Sequence, residues 1–474
     1  MLFNSFEFVI FFLIVYALYR ILPHKAQNLM LLAASYFFYG FWDWRFLSLI
    51  GYSTLIDYFC GLRIETLGVS EKRKKFLWLS IGSHLAILGF FKYFNFFAGN
   101  LQTLANLFGF HLDSPTLNII LPVGISFYTF QAMSYTIDVY RGKMKPTRNL
   151  IDFALYIAFF PQLVAGPIER ATSLLPQISR KRIITEQQTD EGLWLIFWGF
   201  FKKVFVADNL ANIVNAVFSR TGLVSGSETL MGLYAFAFQI YGDFSGYSDI
   251  ARGTAKLMGI ELMVNFKFPY FVTNPREFWK NWHISLSTWL KDYLYVPLGG
   301  NRHGRRKTCR NIFLTMFLGG LWHGAAWTFA LWGAYHGILL ILHRTVEWFL
   351  PKRQSGNYFP RSVKNGLGIF LMFHVTCFGW LLFRSQNFSQ ISDCLKSLFL
   401  NFLPFGPDAA DYGLSIVFYA WLLLLVETFE KRKEDLLIVF RWPALARWAL
   451  FILMFYLIAF WGEFGARGFI YFQF

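Results

Sequence analysis

The chain of 474 residues is 55% hydrophobic and 21% aromatic, with 58 phenylalanines and only 15% charged residues, against roughly 25% charged in soluble chains. A soluble fold of this composition would lack polar material for its surface, and continuous apolar runs argue against a membrane β-barrel, whose strands alternate. The net charge of +16 is read as Lys and Arg retained in cytosolic loops rather than as a nucleic-acid surface. The expected class is therefore an all-α polytopic membrane protein.

The clearest apolar cores are 6–19, 76–91, 369–383, 414–426 and 449–461. No Lys or Arg precedes Arg20, so the first helix lacks the basic start of a cleavable signal peptide, and the N-terminus is expected outside. The loops then alternate. "LRIETLGVSEKRKKF" (62–76) carries five Lys and Arg, 98–118 carries none, "RGKMKPTR" (141–148) is basic again, and 385–412 has one Lys and three Asp. Residues 150–165 lie between basic loops and read as re-entrant or interfacial. Spans follow at 191–217 and 227–245, and 250–310 stays on the cytosolic side. The uncharged run 311–342 is too long for one span and reads as a bent hairpin breaking at Gly319 and Gly320. Three further spans (366–384, 413–429, 448–464) leave the C-terminus outside. Residues 1–474 form one transmembrane domain of about eleven spans plus re-entrant pieces. Cys60, Cys309, Cys377 and Cys394 show no metal-ligand or disulfide spacing, so no metal is expected.

Two histidines carry the chemical interest. His323 lies among glycines and alanines at membrane depth, where an ionisable group faces a cavity or a partner. It fits a catalytic group or a neutral imidazole bonded to a neighbouring helix. His336 and His343 lie nearer the basic flank. The second, His283, lies in "TNPREFWKNWHISLSTWLKDYLYVPLGG" (273–300). There Asn274 is an N-cap, Pro275 suits the first helical position and Glu277 completes a capping box. One helix is expected from there to Tyr295, lying at the membrane interface with Trp279, Trp282 and His283 on its apolar face. Trp279 and Trp282 are candidates to line a substrate path. Arg302, Arg305, Arg306 and Lys307 follow it and either bind an anionic donor or simply mark the cytosolic side. Asp243, Ser245 and Asp249 cluster at a span end, and Glu169 and Arg170 flank a Gly-Pro break. Each group either lines a polar cavity or serves helix-end chemistry.

"REFWKNWHISLSTWLKDYLYVPLGGNR" (276–302) followed by "GGLWHGAAWTFALWG" (319–333) resembles the membrane-bound O-acyltransferase (MBOAT) family, in the bacterial alginate O-acetyltransferase branch. Peptidoglycan O-acetylating and D-alanine-exporting members are also similar. The resemblance extends to "LAASYFFYGFWDWRFL" (32–47), "LPVGISFYTFQAMSYTIDVYRG" (121–142), "FFPQLVAGPIER" (159–170), "QIYGDFSGYSDIARGTAKLMGI" (239–260) and "WLLFRS" (380–385). It implies a ring of helices around a central tunnel in the inner membrane, with His323 as the active histidine and His283 as the second motif histidine. It also implies acetyl-CoA as donor substrate with no permanently bound cofactor, and an extracytoplasmic polysaccharide as acceptor. The tail "GARGFIYFQF" reads as an aromatic anchor at the outer interface. By resemblance it is a relay in which Tyr471 takes the acyl group and passes it to an SGNH-type acetyltransferase. The rival readings are D-alanyl transfer from a carrier protein and, in a different class, a transporter of an intact acyl donor.

Overall fold

A computed structural model describes residues 1–68, 70–110, 117–220, 224–349, 361–403, 406–465 and 468–470. Every regular element among these residues is helical. Among the described residues four helical stretches are long and apolar enough to cross a membrane by length and composition: Arg73–Leu107, which passes through a π-helical turn at Gly89–Tyr93, Ser362–Arg384, Asp408–Lys433 and Ala444–Trp461. The chain is organised as two compact units, one of residues 1–196 with 250–263, the other of 197–249 with 264–474.

The first unit is built on Phe6–Ile21, His24–Asp43, Leu47–Thr66, Arg73–Leu88, Phe94–Leu107, Ile125–Tyr140, Leu150–Ala158 and Ala171–Ser179. Two of these helices start where a polar side chain satisfies free backbone donors: Ser5 accepts from the Phe8 N–H and Asn149 from those of Ile151 and Asp152. Outward faces carry bare apolar rings, with Phe6 75% and Trp78 66% exposed, the surface expected where lipid is the solvent. Inside, Asp57 gathers a fully buried polar knot. His84 Nε2 lies 2.6 Å from its carboxylate, Thr136 donates to it at 2.8 Å, and the Ser80 hydroxyl also donates to it. A carboxylate out of water needs such a full set of donors. Residues 153–168 are buried throughout, so this stretch is packed inside the unit and does not lie along a surface as an interfacial segment would.

The second unit contains most of the long helix Gly226–Leu257, the short helices Pro275–Asn281 and Ile284–Leu290, the pair Gly304–His323 and Trp327–Phe349, then Arg361–Arg384, Phe388–Leu400, Pro407–Lys433 and Ala444–Trp461. The 311–342 run is indeed a helical hairpin, but its bend is not at Gly319 and Gly320. It falls at 324–326. Gly320 serves close packing instead. A Cβ there would stand 2.3 Å from the Phe329 carbonyl oxygen and 2.9 Å from Gly333 Cα, while one on Gly333 would meet the Met316 carbonyl oxygen at 2.4 Å. The two helices are in backbone contact, as small residues permit in membranes.

Candidate functional site

The expected single helix from Asn274 to Tyr295 is interrupted. Its start is as read: the Asn274 side chain accepts from the Glu277 N–H at 2.9 Å, Glu277 reaches back to the Thr273 N–H at 3.2 Å, and Pro275 begins the first turn. The helix then stops at Asn281. Trp282 is extended (φ −106°, ψ 127°), His283 is left-handed (φ 43°, ψ 56°), and a second helix begins at Ile284. The break is pinned by a residue distant in sequence. Asn265 accepts from the Ile284 N–H through its backbone oxygen at 2.9 Å and from the Ser285 N–H through its side chain at 3.2 Å. A left-handed conformation costs a residue with a Cβ about 1–2 kcal/mol, so the surrounding contacts hold His283 in place against that cost. Such held strain is a mark of functional positions.

The break turns Trp282 and His283 inward. They are 1% and 0% exposed, buried inside the unit and not laid along an interface. His323 ends its helix immediately before the hairpin bend and is 4% exposed. The two imidazole centroids are 6.4 Å apart. Around His323 stand Trp322 at 5.0 Å, Trp332 at 5.0 Å edge-on and Phe383 at 5.4 Å. Phe244 meets His283 edge-on at 4.6 Å. The two buried imidazoles are thus enclosed by aromatic rings, a histidine chamber sheltered from bulk water. His336 packs in the next layer, stacked on Phe278 at 5.9 Å and against Trp279 at 5.1 Å and Trp332 at 4.8 Å. Its Nδ1 has no hydrogen-bond partner among the described residues. Through Trp332 it therefore packs closer to His323 than its place near the basic flank suggested.

Beside that layer is a cleft of about 280 Å³, with Trp279 and Leu290 on one side and Arg276, Lys280, Lys291 and Arg344 supplying positive charge. His343 and Glu347 also line it. None of Arg302, Arg305, Arg306 and Lys307 lines this cleft. All four are exposed, and Arg305 lies over the Trp348 and Phe349 rings at 5.4 and 5.1 Å. The four cations around the cleft were not legible as a group, because they come from three separate helical segments.

Asp243, Ser245 and Asp249 do not form one site. Asp249 pairs with Lys202, near Glu427, which receives the Tyr241 hydroxyl. Asp243 pairs with Lys203 at 2.8 Å, and Lys203 also reaches Asp208 at 2.9 Å. Ser245 is buried. Glu169 is an anchoring residue in the first unit, with its Oε1 accepting from the Met263 N–H. Tyr471 lies outside the described residues. The chain just before it is described, and it is not displayed at an outer surface: Phe469 and Ile470 are 1% and 3% exposed.

Residues 145–381 match the membrane-bound O-acyltransferase family. The chain is 43% identical over 389 residues to the probable alginate O-acetylase AlgI of Pseudomonas putida, covering 82% of this chain and 78% of that one. It is 36% identical over 430 residues to the peptidoglycan O-acetyltransferase of Helicobacter pylori (84% and 80%). Over 287 residues it is 30% identical to the teichoic acid D-alanyltransferase of Bacillus subtilis (58% and 71%). Both motif histidines, the cationic cleft and the rings around the histidines other than Phe383 fall within residues 145–381, and the chain belongs to the membrane-bound O-acyltransferase family, in its alginate O-acetylase-like branch, as an O-acyltransferase.

Proposed function

We propose that the chain takes acetyl groups from acetyl-CoA on the cytosolic face of the inner membrane and makes them available for O-acetylation of a polysaccharide outside. The supporting observation is the pair of buried imidazoles 6.4 Å apart in an aromatic chamber. About eleven membrane-crossing helices around a central tunnel would bring donor and acceptor to that chamber from opposite sides. The acceptors in the names of the relatives, alginate, peptidoglycan and teichoic acid, support a cell-surface polymer as the final destination.

In this reading His323 is the general base. An acceptor hydroxyl gives its proton to the imidazole as its oxygen attacks the thioester carbonyl carbon. The C–S bond then breaks, and the departing sulfur takes the proton back, leaving CoA as a free thiol. A histidine, whose ordinary pKa is near 6.5, is suited to both transfers. His283, fixed by its strained backbone, orients the reacting carbonyl. The phenol of Tyr471 is the acceptor, and phenoxide (pKa near 10) leaves more readily than a sugar alkoxide. An SGNH-type partner outside would then take the acetyl group, releasing the phenol, and deliver it to the polymer.

The test is acetyl transfer from radiolabelled acetyl-CoA by the purified protein with no carrier protein present. His323→Ala is expected to lower the rate by about 10²–10⁴-fold, the usual worth of a general base, with the thermal unfolding profile unchanged. A folded His323→Ala variant with near wild-type activity would remove the assignment. His283→Ala should also lose activity, and Tyr471→Phe should stop polymer acetylation while leaving an aromatic ring in place. Transfer that requires an acyl carrier protein would replace the acetyl-CoA reading with the D-alanyl type.

A further inference from the structure

The last described residues of the chain are held at one place in the second unit. The backbone N–H of Ile470 donates to Asp243 Oδ2 at 2.7 Å. The other oxygen of Asp243 is ion-paired with Lys203 at 2.8 Å, and Lys203 in turn pairs with Asp208. Lys203 and Asp243 are almost fully buried, so the ion pair holds the carboxylate that accepts from Ile470. The adjacent ring, Phe469, packs on Tyr247 at 4.9 Å and on Phe244 at 5.4 Å. Phe244 is the same ring that meets His283 at 4.6 Å. One side chain of the helix Gly226–Leu257 thus touches both the tail and the histidine chamber, and the carboxylate immediately before it in sequence holds the tail's backbone.

We propose that Asp243, braced by Lys203, is a positioning residue that seats the C-terminal tail beside the histidine chamber, and that this seating is required for delivery of the acetyl group. The proposal rests on the reading of Tyr471 as the acyl acceptor and adds what brings that end of the chain to the chamber. A backbone donor bound to a carboxylate fixes the path of the chain whatever the side chain at that position, while the Phe469 ring fixes its depth. A charge-assisted bond of this kind is among the stronger single contacts available to a chain end.

The experiment uses the full-length protein and two readouts: release of C-terminal residues by a carboxypeptidase, followed by mass spectrometry, and polymer acetylation. Ile470→Pro removes the N–H while leaving the Asp243 pair with Lys203 intact. Ile470→Val keeps the N–H and serves as the rescue. Ile470→Pro is expected to speed release of the terminal residues and to lower acetylation, each by about 10-fold or more, the worth of a hydrogen bond to a charged group. Ile470→Val should stay close to the wild type in both. Asp243→Asn, which keeps an acceptor oxygen but weakens the Lys203 pair, should fall between them. Digestion of Ile470→Pro no faster than wild type would overturn the seat. Faster digestion with full acetylation would overturn its role in delivery. If Tyr471→Phe acetylates normally while Ile470→Pro releases the tail and loses activity, the relay reading has failed and the seat stands.

Discussion

Glu169 is fully buried, and burial pushes its carboxyl up to about 7, against the opposing pull of the Met263 N–H and the Arg170 and Arg252 charges. It follows a Gly-Pro break and lies in none of the four stretches long and apolar enough to cross a membrane. Its Oε2 has no hydrogen-bond partner among the described residues. The consequence for stability has a definite sign. Below the ordinary value of 4.5 the carboxyl is protonated in folded and unfolded chains alike and contributes no pH dependence. Between there and about 7 the unfolded chain releases the proton first, so stability falls as pH rises, and it levels off above. Glu169→Gln should abolish this slope while keeping an oxygen to accept from Met263. Thermal unfolding from pH 4.5 to 8 should show the wild type losing ground to the variant as pH rises. Parallel curves would mean that Glu169 is charged in the fold. The sequence singled out Glu169 but left its role open, since its partner is nearly a hundred residues away. Likewise His84 and Asp57 lie in unremarkable apolar runs, and only the packing of three helices makes them a pair.

At the scale of the element, the interrupted helix and the cationic cleft beside it invite a test of donor binding. Arg276, Lys280, Lys291 and Arg344 stand around the cleft and would contact the phosphates of acetyl-CoA directly. The exposed group Arg302, Arg305, Arg306 and Lys307 would act at longer range. The two roles separate by salt. Lys280→Glu combined with Lys291→Glu should raise KM for acetyl-CoA about 10-fold or more at any ionic strength, as for lost contact ion pairs. Reversal of the 302–307 charges should raise KM at low salt and have an effect that fades toward 0.5 M, where screening acts within a few ångströms. An unchanged KM in the first variant would remove the cleft from donor binding. The elements also mark what was legible. Asn274, Pro275 and Glu277 announced a helix start because capping is local chemistry. The stop at Asn281 was not legible, since it depends on Asn265 supplying acceptors across the fold. The paired glycines read as a break because glycine permits one. Gly320 instead allows two backbones to touch, and nothing local distinguishes the two uses.

For the whole molecule, the asymmetry of charge sets a direction. Basic residues concentrate in 62–76, 141–148 and 430–447, whereas 98–118 carries no Lys or Arg. Lys and Arg retained on the cytosolic side would place the cationic cleft there, with 250–310 and both flanks of the 311–342 hairpin. In the proposed reading acetyl-CoA, a large polyanion that cannot cross a bilayer unaided, would meet the protein on that face. The reaction is then expected to be vectorial. Inverted membrane vesicles, which expose the cytosolic face, should take up label from added acetyl-CoA onto the protein or its acceptor. Sealed right-side-out vesicles should not, until they are permeabilised. His323→Ala should abolish labelling of inverted and of permeabilised vesicles alike, which separates the enzyme's own transfer from background acetylation. Labelling of sealed right-side-out vesicles, absent from inverted ones, would overturn the orientation and with it the cytosolic donor. Equal labelling of both would mean that the donor reaches the histidine chamber from either face, contrary to a chamber loaded through the cationic cleft alone.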